Sequence, residues 1–159
     1  MRNSTLLFLV KKEGGVITEV CLPMKKRGFG MGRYNGVGGK VEPMETIETA
    51  VLREAKEEIG VDVGDVIKCA ELAFTFPHKE EWNQFVHVYL AESWEGDIVE
   101  TEEMKPYWFT VGRIPYNEMW PDDIFWLPKV LEGNLLKGEF TFSEGDVIEA
   151  QEVNIVSAF

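Results

Sequence analysis

Cysteine, long apolar runs and positive charge are all scarce in this sequence. Its two cysteines are too few for the dense disulfide framework of a small secreted domain. No apolar run approaches the roughly 20 residues of a transmembrane helix. The first apolar run is too short for a signal peptide and meets the charged pair Lys11-Lys12. We therefore expect a cytoplasmic protein with free thiols and no membrane partner.

Acidic residues outnumber basic ones, with 28 Asp and Glu against 16 Lys and Arg and a net charge of −12. Non-specific binding to duplex nucleic acid or to an anionic membrane needs an excess of Lys and Arg. A small anionic substrate needs only local cations or a metal ion, and Lys25, Lys26 and Arg27 form a basic island in the acidic chain. We therefore expect a small-molecule partner and no duplex nucleic acid.

Internal repeats and low-complexity segments are absent as well. A chain of 159 residues that is 45% hydrophobic can build one domain with a substantial core. We expect residues 1–159 to form that single domain and to act as a monomer.

The pattern of strands and two separated helices predicts an α+β fold, in which a mixed sheet is flanked by helices. A continuous apolar run at 5–10 has the length of a buried strand, and a second helix is expected after Pro121. The glycine-rich segment 24–39 is predicted to contain no regular element. His87 lies between two valines in a strand and is expected to be structural rather than a ligand. The predicted strands are 5–10, 16–22, 66–76, 84–91, 107–109, 139–142 and 147–156.

The stretch 39–61, GKVEPMETIETAVLREAKEEIGV, contains the strongest helix signal. Residues Thr46 to Ile59 include no Gly or Pro and many good helix formers. Gly60 suits the position that follows a helix end. The acidic residues in this stretch can therefore be placed on a helix.

Three carboxylates share one face of this predicted helix. At roughly 100° per residue, Glu54, Glu57 and Glu58 stand at i, i+3 and i+4. They lie beside the apolar Ile47 and Val51. Like charges at this spacing repel each other, and their burial is costly unless a cation lies among them. A hard divalent ion such as Mg²⁺ would resolve the conflict, and so would simple exposure to solvent; the spacing alone leaves both interpretations open.

The whole stretch resembles the Nudix box, a motif of spaced Gly, Glu and Arg residues. Ala55 is small where the motif usually has a bulky apolar residue, and Pro43-Met44 replaces the usual glycine before the first glutamate. The resemblance implies the Nudix fold, a mixed sheet sandwiched between α-helices. The positions that carry the resemblance are Gly39, Glu45, Arg53, Glu54, Glu57, Glu58 and Gly60.

The resemblance also implies a chemistry, attack by a metal-activated water on a phosphorus of a nucleoside diphosphate linkage. The expected metal is Mg²⁺, and the same oxygen ligands would accept Mn²⁺. Glu58 is expected to be essential, and Glu57 or Glu103 is expected to share the role of general base. Arg53 is expected to pair with Glu45 and hold the loop against the helix. The residues that the resemblance assigns to the metal are Gly38, Gly39, Glu54, Glu57, Glu58 and Glu103, the two glycines through a backbone carbonyl.

Three further segments are similar to the MutT-homologue branch of that family: MKKRGFG at 24–30, Trp108-Phe109, and MWPDD at 119–123. The similarity implies Mg-dependent hydrolysis of oxidised purine nucleoside triphosphates, such as 8-oxo-dGTP and 2-hydroxy-dATP, to the monophosphate and pyrophosphate. Such an enzyme would clear damaged precursors from the nucleotide pool. The residues that the similarity assigns to the substrate are Thr5, Lys25, Phe29, Asn35, Phe74, Phe76, Trp120, Asp122, Asp123 and Phe142.

The same residues have other interpretations when the local sequence is taken alone. Asp122 or Asp123 would suit the cap of a helix after Pro121, and Phe74, Phe76 and Phe142 would suit the core or a sheet face. If the two carboxyls are buried together, one can be protonated and donate where its neighbour accepts. Alternative functions are the same chemistry on an ordinary nucleotide, a dinucleoside polyphosphate or ADP-ribose, or a non-catalytic nucleotide-binding module. The complete set of carboxylates argues against the last.

Overall fold

A computed structural model describes residues 1–159, which form eleven strands, two α-helices and three short 3₁₀ helices. The α-helices are α1, Ile47–Ile59, and α2, Asp123–Leu131, and neither has the length and apolarity of a membrane span. The strands are β1 Arg2–Glu13, β2 Val16–Cys21, β3 Met24–Lys25, β4 Asp62–Val63, β5 Ile67–Thr75, β6 Gln84–Ala91, β7 Trp94–Glu95, β8 Met104–Lys105, β9 Trp108–Thr110, β10 Leu135–Ser143 and β11 Val147–Val156.

Seven of the strands form one mixed sheet in the order β11-β10-β5-β6-β1-β2-β9. β1 pairs with β6 in parallel, β5 pairs with β10 in parallel, and the other neighbours are antiparallel. Two short ladders, β3 with β8 and β4 with β7, join segments that are distant in sequence.

Strand β1 is buried on both faces, which explains its continuous apolar sequence. Leu7 and Leu9 belong to a cluster with Val51 of α1, whereas Phe8 and Val10 belong to a cluster that contains several α2 side chains. Because successive side chains of a strand point to opposite faces, one helix covers each face of the sheet. The predicted α+β sandwich is confirmed.

Helix α1 begins and ends where its sequence predicts. The Thr46 hydroxyl accepts a hydrogen bond from the Thr49 N–H at 3.1 Å, which caps the first turn. Gly60 ends the helix at φ 77°, a left-handed conformation that favours glycine. Ala55, the small residue that departs from the usual motif, is fully buried in the core beneath the helix.

Each predicted strand is present, and the second helix follows Pro121 as expected. Two strands are longer than predicted, since β1 spans Arg2–Glu13 rather than 5–10 and β10 begins at Leu135 rather than at 139. The prediction of no regular element at 24–39 is wrong at Met24–Lys25, which pairs with β8. Such two-residue strands depend on partners that are distant in sequence, so the local pattern does not reveal them.

His87 and the two cysteines have structural surroundings. His87 Nδ1 lies 3.0 Å from Lys68 Nζ, and its Nε2 lies 3.1 Å from Asn3 Oδ1. Because an ammonium group only donates, we assign Nδ1 as the acceptor and Nε2–H as the donor of a neutral ring. Burial also lowers the pKa of His87. Cys21 and Cys69 are free and buried.

Candidate active site

The Gly38-Gly39 loop lies between strand β1 and helix α1. A Cβ atom on Gly38 would overlap the Thr5 carbonyl oxygen, and one on Gly39 would lie 2.6 Å from Glu54 Oε1. The Thr5 N–H donates to the Gly39 carbonyl at 2.9 Å, and the Gly38 N–H donates to Glu58 Oε1 at 2.8 Å. At position 38 only glycine permits this close approach to the β1 backbone, which brings the loop backbone beside the carboxylates of the helix.

Glu58 is the most deeply buried of the carboxylates assigned to the metal, with 3% of its surface exposed. Its Oε2 has no hydrogen-bond partner. Burial raises the pKa of Glu58 to about 8, although the Gly38 N–H and the Lys25 ammonium act in the opposite direction. A buried carboxylate with an unpartnered oxygen needs a nearby cation if it is to be ionised, so this position suits a metal ligand.

Arg53 joins the loop before α1 to the carboxylates on the helix. Its guanidinium donates to the two carboxylate oxygens of Glu45, at 2.7 and 2.9 Å, and to the Lys40 carbonyl at 3.1 Å. It also donates to Glu54 at 2.8 Å and to Glu57 at 3.3 Å. The hydrogen bonds from Arg53 lower the pKa of Glu45 to about 2. The predicted pair of Arg53 and Glu45 is therefore present and holds the loop against the helix.

Glu103 is held beside the basic island by the pairing of β8 with β3. Its Oε1 accepts hydrogen bonds from Arg27 Nε at 2.9 Å and from Arg27 Nη2 at 2.6 Å. These bonds lower the pKa of Glu103. Its Oε2 lies 4.0 Å from Lys25 Nζ. The tertiary fold thus brings this carboxylate to the same basic segment that contributes Lys25.

The acidic residues have the donor chemistry of a hard divalent ion but do not surround a common point. No three of them converge closely enough to enclose an ion, and Arg53 and Arg27 occupy the other carboxylates. Of the two candidate carbonyls, that of Gly39 already accepts a hydrogen bond, whereas that of Gly38 accepts none. The oxygen donors and the unpartnered Glu58 Oε2 fit such an ion. To bind the other carboxylates, the ion would have to replace their contacts with Arg53 and Arg27.

The same loop and Lys25 also line a cavity of about 430 Å³, a volume typical of small-ligand sites. The wall also contains polar and aromatic residues that sequence reasoning did not assign to the substrate: Arg2, Ser4, Lys40, Trp82, Gln84 and Trp126. Arg2 and Gln84 are paired across β1 and β6, a register that no local pattern signals. Every residue assigned to the substrate lies in the wall: Thr5, Lys25, Phe29, Asn35, Phe74, Phe76, Trp120, Asp122, Asp123 and Phe142.

Aromatic rings form much of this cavity. Phe29 stacks on Trp120, with ring centroids 5.0 Å apart, and Phe76 stacks on Phe142 at 5.3 Å. Trp82 packs edge-on against Phe29 at 5.1 Å and against Phe76 at 5.5 Å. These rings can provide flat apolar faces for a planar ligand.

Asp122 and Asp123 are both almost fully buried in the cavity wall. Asp122 Oδ2 accepts a hydrogen bond from Trp126 Nε1 at 2.7 Å, and Asp123 Oδ2 has no partner. Neither side chain caps α2, so the capping interpretation is wrong. Burial raises the pKa of Asp122 to about 6, and burial together with the adjacent Asp122 charge raises the pKa of Asp123 further above its ordinary value. Burial therefore favours the protonated form of the pair.

Asn35 and Lys25 add polar groups at two places in the cavity wall. Asn35 Oδ1 accepts a hydrogen bond from the Gly36 N–H at 2.9 Å, which leaves the amide N–H donors for a ligand. The proximity of Lys25 to Glu103 connects the cavity with the acidic residues. The arrangement can hold a flat aromatic base in the cavity and an anionic group near Lys25.

The buried acidic pair predicts a pH dependence of stability. Because both carboxyls have a raised pKa in the folded protein, the folded state binds more protons than the unfolded state. The contribution of the pair to the free energy of unfolding is therefore fully present below the unfolded pKa of about 4. This contribution is lost as the pH rises through the folded pKa values. The variant Asp123→Asn should show a flatter loss, which thermal unfolding from about pH 5 to about pH 9 would measure. Parallel pH profiles of the variant and the wild type would contradict this prediction.

A family model, the NUDIX domain, matches residues 2–130. The chain is 42% identical over 150 residues to the oxidized purine nucleoside triphosphate hydrolase of Danio rerio, covering 94% of this chain and 93% of the relative. It is 41% identical over 140 residues to the Mus musculus protein of the same name, covering 88% and 89%. Among solved structures, the MutT protein from Bacillus halodurans matches with a TM-score of 0.82 over 97% of this chain and 98% of that chain. Its sequence identity is 23%, so this likeness shows the fold.

Proposed function

The chain belongs to the NUDIX domain family of hydrolases, and from this premise we propose that it hydrolyses oxidised purine nucleoside triphosphates to the monophosphate and pyrophosphate. The substrates we propose are 8-oxo-dGTP and 2-hydroxy-dATP, whose removal would clean the nucleotide pool. The observation that carries the proposal is the buried Asp122-Asp123 pair in an aromatic cavity that also contains Lys25 and the Gly38-Gly39 loop. The two relatives described above, which span most of the chain, bear the name of this activity.

Recognition of the base follows from the chemistry of the cavity wall. Its aromatic rings supply stacking surfaces for a purine, and Asn35 supplies amide donors. With one carboxyl protonated and the other ionised, Asp122 and Asp123 offer both a donor and acceptors to a base edge. A base whose donors and acceptors do not match leaves buried polar groups unpaired, at a cost of about 1–3 kcal/mol for each group.

NUDIX hydrolases generally use divalent metal ions, and we propose Mg²⁺ as the cofactor, with Mn²⁺ as a substitute. Glu54, Glu57, Glu58 and Glu103 would hold the metal, together with the Gly38 carbonyl. A bound ion lowers the cost of charge on the polyphosphate and helps to activate the attacking water. The unpartnered oxygen of Glu58 and the oxygen-only donor set support this assignment.

The chain's own side chains supply the remaining functions. We assign Glu58 as the essential carboxylate and main proton acceptor, with Glu57 or Glu103 sharing that role. Its Oε2 is the one oxygen among these carboxylates that is buried and unpartnered. Lys25 would bind phosphate oxygens through its ammonium group, since it stands in the cavity wall near Glu103.

We further propose that residues 1–159 act as a single domain and as a cytoplasmic monomer, with the nucleotide as partner and neither duplex nucleic acid nor membrane. The first strand, β1, and the last, β11, belong to the same sheet. The net charge of −12 opposes binding to duplex nucleic acid and to anionic membranes.

Pyrophosphate release in the presence of Mg²⁺ tests the proposed activity. The panel contains 8-oxo-dGTP, 2-hydroxy-dATP, dGTP, dATP and ADP-ribose, each assayed with Mg²⁺, with Mn²⁺ and with a chelator. We expect kcat/KM for the oxidised purines to exceed that for the ordinary ones by roughly 10-fold or more, because each mismatched polar contact costs about 1–3 kcal/mol. Equal or faster turnover of ordinary nucleotides would support the hydrolase activity but contradict the proposed preference for oxidised purines.

A further inference from the structure

Trp120 is contacted by Arg33, which forms an ion pair with Asp146, and neither charged residue lines the base cavity. Arg33 Cζ lies 4.1 Å from the centroid of the Trp120 ring, and Arg33 Nη2 lies 3.0 Å from Asp146 Oδ2. Trp120 lines both the base cavity and a second, open cavity, whereas Arg33 and Asp146 line only the second. The guanidinium therefore covers the indole from outside the proposed substrate site.

Arg33 is anchored by its backbone as well as by its side chain. Its carbonyl accepts a hydrogen bond from the Lys25 N–H at 3.0 Å, and its N–H donates to the Gly30 carbonyl at 3.2 Å. The side chains of Arg33 and Asp146, which form the ion pair, are both partly buried. The backbone of Arg33 is therefore fixed and its guanidinium has a counter-ion in Asp146. The planar guanidinium can thus support the indole ring.

Asp146 comes from the turn between β10 and β11, which is far from Arg33 in sequence. The turn comprises residues 144–146, and Gly145 and Asp146 have φ values of 75° and 58°, a left-handed conformation. Glycine or asparagine would serve the turn at position 146 equally well. The turn therefore does not require a carboxylate at this position. The Asp146 carboxylate instead forms the ion pair with Arg33.

We propose that Arg33 and Asp146 are positioning residues for purine recognition, because together they hold the Trp120 indole, on which Phe29 stacks, in its place in the aromatic wall that contacts the base. This inference rests on the proposed function and extends it to two residues outside the substrate cavity. Stacking depends on the distance and angle between rings, so a loosened indole weakens base binding. The chemical step is proposed to occur at Glu58 and its neighbouring glutamates, so we expect its rate to be unaffected.

Two substitutions separate the charge of the pair from its planar contact. Asp146→Asn keeps the size of the side chain and tolerates the left-handed turn, but it removes the charge. Arg33→Lys keeps the charge but removes the planar surface that lies on the indole. Asp62→Asn is the matched control, because Asp62 forms an exposed ion pair with Lys56 at 3.2 Å on another part of the surface.

Steady-state kinetics with 8-oxo-dGTP test the proposal. We expect both site variants to raise KM roughly 3- to 10-fold with kcat within about twofold of the wild type, as for a loss of binding energy shared by ground and transition states. The control should match the wild type. An unchanged KM, or a fall in kcat alone, would overturn the proposal. A wild-type protein with no activity on oxidised purines would overturn the proposed function first and this inference with it.

The indole N–H signal of Trp120 gives a readout that does not depend on activity. In a ¹H–¹⁵N spectrum, assigned with Trp120→Phe, the signal should shift in both site variants and remain in place in Asp62→Asn. The unfolding temperatures of all variants should agree with that of the wild type. A signal that stays in place in Arg33→Lys would show that the planar contact does not position the ring.

Discussion

Replacing Glu58 by Gln should lower kcat by roughly 10²- to 10⁴-fold, the range expected when a positioned proton acceptor is lost. Gln keeps the shape of the side chain and can still accept the Gly38 N–H that now reaches Glu58 Oε1. Burial already favours the neutral form of Glu58, with its pKa raised to about 8. The neutral Gln should therefore leave the metal-free fold as stable as the wild type, or more stable near pH 8. Pyrophosphate release and thermal unfolding measure the two effects.

Glu48→Gln is the matched control for this substitution, since Glu48 lies on the same helix, is exposed, and contacts none of the proposed ligands. The control should keep full activity. Added Mg²⁺ should raise the unfolding temperature of the wild type and of the control, because a ligand that binds the folded state stabilises it. The shift should be smaller in Glu58→Gln. An active Glu58→Gln variant would refute the assignment of Glu58.

Replacing Asp122 and Asp123 together by Asn should lower kcat/KM for 8-oxo-dGTP by roughly 10²-fold or more. Each carboxyl is proposed to form a buried hydrogen bond to the base, and a buried polar group left without its partner costs about 1–3 kcal/mol. The loss should be smaller for dGTP, so that the preference for the oxidised base declines. Parallel assays of both nucleotides measure the change in preference.

The double variant should remain folded, because Asn has nearly the same size as Asp and brings no charge into the buried site. Its oxygen can also still accept the hydrogen bond from Trp126 Nε1 that Asp122 Oδ2 accepts in the wild type. Asp97→Asn serves as a control at an exposed position. If the double variant retains the wild-type preference, base recognition lies elsewhere in the cavity, and the proposed role of the acidic pair is wrong.

Local sequence patterns predicted much of this fold because they depend on short-range geometry. Helix periodicity placed Glu54, Glu57 and Glu58 on one face, and Thr46 and Gly60 mark the ends of that helix in the structure as they do in the sequence. The apolar run of β1 predicted a buried strand, and the structure buries it on both faces. The resemblance to a known family supplied the residues of the cavity wall, which spacing alone would not have assembled.

The electrostatic state of the site was decided by contacts between segments that are distant in sequence. Arg27 reaches Glu103 because β3 pairs with β8, and the burial that raises the pKa of Glu58 arises from the loop that packs over it. Desolvation depends on everything that surrounds a group, so no local pattern reports it.

By itself, the sequence determined the central helix, its row of carboxylates and the acidic pair that follows Trp120. Only the tertiary structure decided that Arg2 and Gln84 enter the cavity wall and that Asp146 pairs with Arg33 beside Trp120. The physical reason is that a helix sets the spacing of its own side chains, whereas strand register and turn position determine which distant side chains meet.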